Sequence, residues 1–375
     1  MSKIDITATT LLGVESIVAK EIRQLGYKDV TVQDGRVTFV GDELAVCRAN
    51  LWLRCAERVL INLGEFKAET FDELFEGTKA LPWADWLPVD AVFPVNGYSL
   101  RSKLFSIPDC QAIIKKAIVE SMKGRYKKEW FDESGSQYKI HFGIIKDRAT
   151  LMIDSSGPSL HKRGYRELSV EAPLRETLAA AMVEISRWRP DMPLCDPFCG
   201  SGTIPIEAAL MGSNTAPGIM REFAAESWER IPQKLWKDAR EEAVSRINKD
   251  ARLNIMGSDI DGQAVKLSRS NAKKAGVDAL ISFKRTDMRD LYLREDSGYI
   301  ICNPPYGERM GEQSEAEELY KDMGLAFKDL APGWSYYILS ANEEFEKLFG
   351  QKADKKRKLY NGMIKCNLYQ YRKNQ

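Results

Sequence analysis

The chain has 375 residues, 44% of them hydrophobic, and its 55 basic and 54 acidic side chains give a net charge of +1. This length predicts two or three domains with cores of their own, and the balanced charge confines any nucleic-acid surface to a local patch. Residues 1–13 lack the pattern of a secretion signal, and no stretch approaches the ~20 apolar residues that span a membrane.

The cysteines and histidines argue against a metal site. The seven cysteines are scattered and odd in number, which is typical of reduced thiols in a cytoplasm. Only two histidines are present, and Cys195 and Cys199 have no second cysteine pair at metal-site spacing. We therefore predict a cytoplasmic protein without a metal ion.

Residues 1–62 predict a ferredoxin-like unit of short strands and two helices. Strands are expected at residues 4–6 and 37–40, with Asp34-Gly35 as a hairpin signal just before the second. Apolar residues at helical spacing predict an amphipathic helix over residues 13–26 and another helix near residues 43–58.

Residues 63–156 predict a second α+β unit, which carries several basic side chains. Helices are expected over residues 71–79 and 108–122, and a basic cluster follows the second helix directly. Residues 99–104 are expected to form an exposed basic strand or loop. The strands predicted around these elements are residues 92–94, 138–142 and 149–154.

After residue 156 the chain alternates helix and strand, as in a parallel sheet. Residues 212–252 interrupt this rhythm with a charged, tryptophan-bearing helical insertion. The chain ends in a hairpin with Asn361-Gly362 as a type I′ turn signal. The strands predicted before the hairpin are residues 194–198, 255–260, 281–285, 299–302 and 334–339.

A glycine-rich turn follows the first of these strands and opens a helix. Its glycines allow a sharp bend and the close approach of a cofactor, and the first N–H groups of the helix can bind a carboxylate. Asp196 is placed to bind the ammonium of an amino-acid-like cofactor. The turn is neither GxGxxG nor a P-loop, and an ordinary βα turn is the alternative. The predicted cofactor contacts here are Asp196, Phe198, Cys199, Gly200, Ser201, Gly202 and Thr203.

Acidic residues follow the next two strands. Asp259, with Ile260 beside it, is predicted to hydrogen-bond the hydroxyls of a ribose, whereas Asp261 is assigned as the N-cap of the next helix. Asp287 can accept from an adenine amine, and Met288 can lie against the adenine ring. A loop acid and a core methionine are the alternative for this last pair.

The strand over residues 299–302 stops at Asn303-Pro304-Pro305-Tyr306. The Asn303 side-chain oxygen and the Pro304 carbonyl can accept both hydrogens of an exocyclic amine, which turns the nitrogen lone pair toward a methyl group. Tyr306 can stack on a base, a contact worth about 1–3 kcal/mol. These four residues are the predicted catalytic set, and Asn303 is expected to contact the cofactor as well.

Together these motifs resemble those of class I S-adenosylmethionine-dependent methyltransferases that methylate amino groups. The resemblance covers the whole chain and implies an α/β fold. Residues 157–375 would form a Rossmann-like methyltransferase domain, with a mostly parallel seven-stranded sheet and a C-terminal hairpin. Before it would come the ferredoxin-like segment, residues 1–62, and a THUMP domain, residues 63–156, which the segments 93–95 and 99–104 indicate.

Within that class, the chain resembles bacterial THUMP-containing RNA methyltransferases that modify the guanine 2-amino group in large-subunit ribosomal RNA. Residues 161–166 and 172–176 are similar to the junction motif of that family, which implies that Pro173 and Arg175 help to wall the cofactor pocket. The implied cofactor is S-adenosylmethionine, the implied product S-adenosylhomocysteine, and the implied partner 23S ribosomal RNA or its assembly precursor. Some members carry a second methyltransferase domain with another activity. Residues 157–375 would form one such domain, so the resemblance implies only the amino-group activity for this chain.

Several basic clusters are candidates for contact with RNA phosphates. Each of them alone could equally be a solvated face of the protein. The candidates are Arg101 and Lys103, then Lys123, Arg125, Lys127 and Lys128, then Lys162, Arg163 and Arg166, and finally Lys355, Lys356 and Arg357.

The motifs leave the substrate open between several choices. The amine could be the 6-amino group of adenine, and the RNA could be a transfer RNA. A protein glutamine side chain is a further alternative, because Asn-Pro-Pro-Tyr also serves enzymes that methylate this amide in release factors. The last alternative is a non-catalytic RNA-binding assembly factor that retains the fold.

Overall fold

The computed structural model describes residues 3–166, 174–307, 312–328 and 333–372. These residues form two seven-stranded sheets, one in the first half of the chain and one in the second. Within the described residues, no helix is both long and apolar enough to pass through a bilayer.

The first sheet contains strands from both N-terminal units, in the order β2-β3-β1-β4-β7-β6-β5. Apolar side chains such as Ile6, Phe39 and Ile61 are buried beneath its helices. The strands are β1 (Ile4–Thr10), β2 (Val30–Gln33), β3 (Arg36–Gly41), β4 (Ala56–Lys67), β5 (Val95–Leu100), β6 (Ile140–Ile145) and β7 (Arg148–Asp154). The helices are α1 (Glu15–Gln24), α2 (Glu43–Trp52), α3 (Phe71–Lys79) and α4 (Ile107–Tyr126).

Strand β4 differs from the prediction, because a helix was expected to run to residue 58. Helix α2 ends at Trp52, and Ala56 and Arg58 pair instead with Thr10 and Thr9 of β1. Tertiary pairing overrides the local helical spacing here. The second half of β4 pairs with β7, so the boundary predicted after residue 62 falls inside a continuous strand.

Strand β5 also lies further along the chain than expected. Val92 makes only an isolated bridge to Gln137, whereas the strand proper begins at Val95 and pairs in parallel with β6. It therefore includes the first two residues of the segment predicted as a basic strand or loop.

The second sheet has the order β10-β9-β8-β11-β12-β14-β13. Strands β8 to β12 are parallel, and β14 returns antiparallel to β12. The strands are β8 (Leu194–Asp196), β9 (Ile255–Asp259), β10 (Ile281–Arg285), β11 (Ser297–Cys302), β12 (Gly333–Ser340), β13 (Lys355–Asn361) and β14 (Ile364–Tyr371). The helices are α5 (Glu176–Ser186), α6 (Thr203–Gly212), α7 (Gln233–Ser245), α8 (Gly262–Lys274), α9 (Glu312–Lys328) and α10 (Phe345–Phe349).

The C-terminal hairpin is present, but its turn is one residue later than predicted. Asn361 pairs with Ile364, so Gly362 and Met363 are the two turn residues. Of these two, Gly362 alone has a positive φ, of +64°. A positive φ at the first turn position only is the pattern of a type II′ turn, whereas type I′ requires it at both positions.

The helical insertion joins the second sheet to both N-terminal units. The Trp228 ring stacks on Tyr138, with centroids 4.6 Å apart, and the Arg230 guanidinium lies 3.9 Å from the Trp86 ring centroid. On α7, Glu242 pairs with Arg48 of α2 at 2.9 Å. The insertion therefore sets the position of the N-terminal units against the second half of the chain.

Candidate active site

A cleft of about 660 Å³ opens where β8, β9 and β11 end. This volume suits a cofactor-sized ligand. All four residues of the predicted catalytic set line it. The predicted cofactor contacts that line it are Asp196, Phe198, Cys199, Gly200, Ser201, Thr203, Asp259, Ile260, Asp287, Met288 and Asn303.

Hydrogen bonds to neighbouring residues fix the conformation of the glycine-rich turn. Asp259 Oδ2 accepts from the Gly200 N–H at 2.9 Å, and the Asn271 side-chain amide donates to the Ser201 carbonyl at 2.9 Å. The Cys199 N–H donates to the Ser258 carbonyl. The turn is thus formed before any ligand arrives, which lowers the entropic cost of binding.

The two glycines of the turn have different roles. A Cβ on Gly200, which has φ +51°, would stand in open space beside the cleft. Gly202 has φ +84°, and a Cβ there would lie 2.9 Å from the Cβ of Ser268 on α8. Gly200 leaves room for a ligand, whereas Gly202 lets α6 pack closely and does not itself line the cleft.

Asp196 is a buried carboxylate at the end of β8. Its side chain accepts a hydrogen bond from the Phe198 N–H at 3.1 Å. Burial raises the pKa of Asp196 well above its usual value, and the nearby Asp259 carboxylate raises it further. A cationic ligand group at this point would stabilise the ionised form, so the site suits an ammonium.

Asp259, at the end of β9, and Asp287, just after β10, differ in the partners that they already bind within the protein. Asp259 accepts from the backbone N–H groups of Gly200 and Asp261, and Asp261 caps α8 through the Gln263 N–H, as predicted. Asp287 accepts from the Arg289 N–H and pairs with the Arg289 guanidinium at 3.1 Å. A ligand amine at Asp287 would therefore share this carboxylate with Arg289.

Two hydrogen bonds fix the conformation of the Asn-Pro-Pro-Tyr segment, one within the segment and one from α9. The Tyr306 hydroxyl donates to Asn303 Oδ1. The Tyr320 hydroxyl donates to the Pro305 carbonyl at 2.7 Å and accepts from Ser340 Oγ at 3.2 Å. Burial raises the pKa of Tyr306 well above its usual value, so this hydroxyl remains a donor at neutral pH.

Besides Pro197, Ile204 and Gly307, six further residues that were not predicted as site residues line the cleft. Two come from the hairpin, because Ser340 at the end of β12 pairs with Asn367, which brings the start of β14 to the same edge as the motif loops. Strand order carries this information, and no local motif does. The six are Leu174, Arg289, Glu315, Leu319, Asn361 and Ile364.

Of the two residues carried over from the junction motif, Arg175 is the one that the structure describes, and it lies away from the cleft, although its neighbour Leu174 lines it. The Arg175 guanidinium lies 3.3 Å from Glu57 Oε2, and Arg175 does not line the cleft. Pro173 lies outside the described residues.

Three cations predicted to meet RNA have partners within the protein, and we correct the assignment of the two whose side chains are buried. Arg163 is only 3% exposed, and it pairs with Glu207 on α6. Arg166 donates to Thr203 Oγ1 at 2.7 Å at the start of α6. Arg357 donates to the Gly13 carbonyl at 2.9 Å. The side chains of Arg163 and Arg166 are thereby buried inside the protein, whereas Arg357 is half-buried and keeps part of its surface exposed.

The other predicted RNA contacts lie on or near the surface. Lys103, Lys123 and Lys356 form surface ion pairs with glutamates, which RNA phosphates could replace at small cost. The exposed candidates that remain are Arg101, Arg125, Lys127, Lys128, Lys162 and Lys355. Among the described residues, no cluster of three or more His, Cys, Asp or Glu side chains could hold a metal ion.

Family models match three consecutive parts of the chain. Residues 163–370 match the RMKL-like methyltransferase domain, residues 5–60 the RlmL ferredoxin-like domain and residues 68–154 the THUMP domain.

Curated relatives match along nearly the whole chain. The Bacillus subtilis protein named "Putative RNA methyltransferase YpsC" is 51% identical, and the match covers 99% of this chain and 96% of the relative. "Ribosomal RNA large subunit methyltransferase K/L" of Syntrophotalea carbinolica is 36% identical over 97% of this chain. This chain spans about half of that relative, 53% of its length.

Solved structures match equally closely. A Listeria monocytogenes protein described as a "predicted N6-adenine-specific DNA methylase" is 50% identical, with a TM-score of 0.94, and the match covers 99% of this chain and 96% of that one. SMU.472, described as "a putative methyltransferase complexed with SAH", is 43% identical with a TM-score of 0.94, and the match covers 100% of this chain and 99% of that one.

The strand order, the glycine-rich turn and the acidic residues behind it define a class I S-adenosylmethionine-dependent methyltransferase. More particularly, the chain belongs to the RMKL-like methyltransferase family, with a ferredoxin-like and a THUMP domain ahead of the methyltransferase domain. This confirms the family and the fold predicted from the sequence. The cleft fits the cofactor, since Asp196 can take its ammonium and Gly200 leaves space beside the turn.

The raised pKa of Asp196 leads to a prediction about stability and cofactor binding. The folded protein holds this proton more tightly than the unfolded chain, whose carboxyl has its ordinary value of 3.8. The free energy of unfolding therefore falls as pH rises from that value through the raised one. In Asp196→Asn the free energy of unfolding should no longer fall in this way, so the variant is expected to be more stable than the wild type at neutral pH in the absence of cofactor. It should weaken binding of S-adenosylmethionine by about 10–100-fold, since a charge-assisted hydrogen bond is lost.

Urea unfolding at pH 5 and pH 8, together with calorimetric titration of the cofactor, would test both parts. Asp191→Asn is a suitable control, because Asp191 is exposed and forms a surface ion pair with Arg189. Cofactor affinity unchanged in Asp196→Asn would contradict the assignment of Asp196 to the ammonium.

Proposed function

We propose that this protein transfers a methyl group from S-adenosylmethionine to the 2-amino group of a guanine in RNA, with 23S ribosomal RNA as the substrate. The observation that carries the proposal is the presence of Asn303 and Tyr306 in the same cleft as the cofactor turn. An amide oxygen, a proline carbonyl and an aromatic ring at one point suit a planar amine attached to a base.

The residues of the motif would act mainly by positioning the amine. When bound, S-adenosylmethionine supplies the electrophilic methyl group. The Asn303 and Pro304 oxygens accept hydrogen bonds from both N–H groups of the amine, which directs its lone pair away from the ring. After transfer the nitrogen is cationic and loses a proton to solvent, so no strong base is required. Such positioning can account for a large share of a rate enhancement.

Substrate binding would exchange one hydrogen bond for another. The Tyr306 hydroxyl now donates to the same Asn303 oxygen that the amine would use. When the amine displaces this hydroxyl, the Tyr306 ring is free to turn onto the face of the base. The internal bond thus keeps the half-buried amide oxygen satisfied in the absence of substrate.

RNA is supported as the substrate by the N-terminal half of the chain. That half matches a THUMP domain, and two relatives are named as RNA methyltransferases, one of them for large-subunit ribosomal RNA. Arg125, Lys127 and Lys128 at the end of α4 are exposed and available for phosphates.

Nucleoside mass spectrometry of RNA from cells with and without the protein tests the proposal. We expect one N2-methylguanosine in 23S ribosomal RNA to disappear without the protein and to return when the wild-type gene is restored. Transfer RNA analysed in parallel is the control for substrate class. No change in any RNA nucleoside would contradict the proposal.

The 6-amino group of adenine is a second candidate, favoured by the description of the Listeria monocytogenes relative as a predicted N6-adenine-specific DNA methylase. Asn303 and Pro304 would hold this amine in the same way. Loss of N6-methyladenosine in the same measurement would identify it.

A further inference from the structure

We propose that Met363, at the tip of the β13–β14 hairpin, is a wedge that enters the RNA base stack and fills the gap left by the target nucleotide. This inference rests on the proposed function, because only methylation of a base requires that the base leave its stack. It assigns a role in substrate opening to a residue outside the catalytic motif.

The position of Asn303 requires the target base to be extruded. Asn303 directly follows the buried strand β11, and it lines the cleft together with the cofactor turn. A base held in a stack cannot bring its amino group to this depth, and enzymes that modify bases turn them out into the active site. The neighbouring bases are then left with a gap between them.

Met363 is placed where such a gap would form. Its side chain is 97% exposed, the highest value among the large hydrophobic side chains exposed in the described part of the chain. Its hairpin neighbours Asn361 and Ile364 both line the cleft, so the tip stands at the rim. Ile260 is also an exposed apolar residue of the cleft, but it follows β9 on the side of the cofactor.

The hairpin is rigid enough to press against a base stack. Every residue of β13 is paired with β14, and β14 is paired in turn with β12. On its other side, Arg357 donates to the Gly13 carbonyl at 2.9 Å and to Ser16 Oγ at 3.1 Å. The hairpin is therefore braced by both the sheet and the ferredoxin-like domain.

The chemistry of the tip matches a nucleic-acid wedge. Apolar side chains such as methionine are used by other proteins to separate neighbouring bases. Lys358 and Lys365 are exposed on the two strands of the hairpin, where cations can meet phosphates. Lys365 forms only a surface ion pair, 3.5 Å from Glu343.

The test compares two RNA hairpins that contain the target nucleotide, which mass spectrometry of RNA fragments locates. In one RNA the target is paired, and in the other it lies opposite an abasic site, so that extrusion is easy. Met363→Ala is expected to lower kcat/KM about tenfold on the paired RNA, where the wedge must offset unstacking, and to change it little on the abasic one. Met363→Leu should behave as wild type on both.

Met220→Ala is the matched control, because Met220 is also an exposed methionine, at 53%, and lies outside the cleft. Wild-type kcat/KM for Met363→Ala on the paired RNA would overturn the wedge and leave the proposed function standing. An equal loss on both RNAs, or a target mapped to an unstacked nucleotide, would also overturn it. Failure of the wild type to methylate any RNA would overturn both.

Discussion

Replacement of Asn303 by alanine is expected to lower kcat for methyl transfer by about 10²–10³-fold, with a much smaller effect on cofactor affinity. The side-chain oxygen is needed most when the amine gains positive charge, which happens on the way to the transition state. Its removal therefore affects the rate more than the binding of either ligand. Transfer of a radioactive methyl group to RNA under single-turnover conditions measures this rate, and calorimetry measures the affinity.

Two companion variants separate the role of the amide from other effects of the change. Tyr306→Phe keeps the ring and removes the hydroxyl that donates to Asn303, so it should retain most of the activity. Asn254→Ala changes an exposed asparagine whose side chain bonds to Glu295 away from the cleft, and it should be silent. A wild-type rate in Asn303→Ala would show that another group orients the amine.

Replacement of Arg163 by alanine is expected to lower the free energy of unfolding by about 3–5 kcal/mol, because it breaks a buried ion pair. Arg163 donates to Glu207 and to the carbonyls of Leu160 and Arg54. Without it, the fully buried carboxylate of Glu207 would keep one hydrogen bond, from Tyr165 at 3.2 Å. Urea unfolding followed by fluorescence would measure the loss.

A double replacement distinguishes the uncompensated charge from lost packing. Arg163→Met combined with Glu207→Leu removes both charges and keeps apolar volume, so it should cost clearly less than Arg163→Ala alone. Lys162→Ala next to it on the surface should have almost no effect on stability. A double variant as unstable as the single one would mean that the cost lies in packing.

Elements with a strong local pattern were predictable from the sequence. Helix α3 and strand β10 have the predicted bounds, because apolar spacing and turn residues mark both ends. The sequence also identified residues of the motif loops that share one cleft: parallel strands end at one edge of a sheet, and the cleft brings Asp196, Asp259 and Asn303 together there.

Features that depend on distant partners were not predictable. Residues 56–58 at the start of β4 suit a helix as well as a strand, and their pairing with β1 determines that they form a strand. The sequence suggested a phosphate-binding role for Arg163, Arg166 and Arg357 because all three are cations. In the folded protein, each of them binds an acceptor in another segment of the chain. The hairpin residues of the cleft follow from strand order, which no local motif expresses.

The shared strand β4 has a consequence for how the enzyme moves. Because one continuous strand crosses from the ferredoxin-like domain into the THUMP domain, there is no linker at which the two could hinge. Rotation of one against the other would break main-chain hydrogen bonds along a twelve-residue strand. They therefore approach RNA as a single rigid arm, and any closing motion must take place between this arm and the methyltransferase domain.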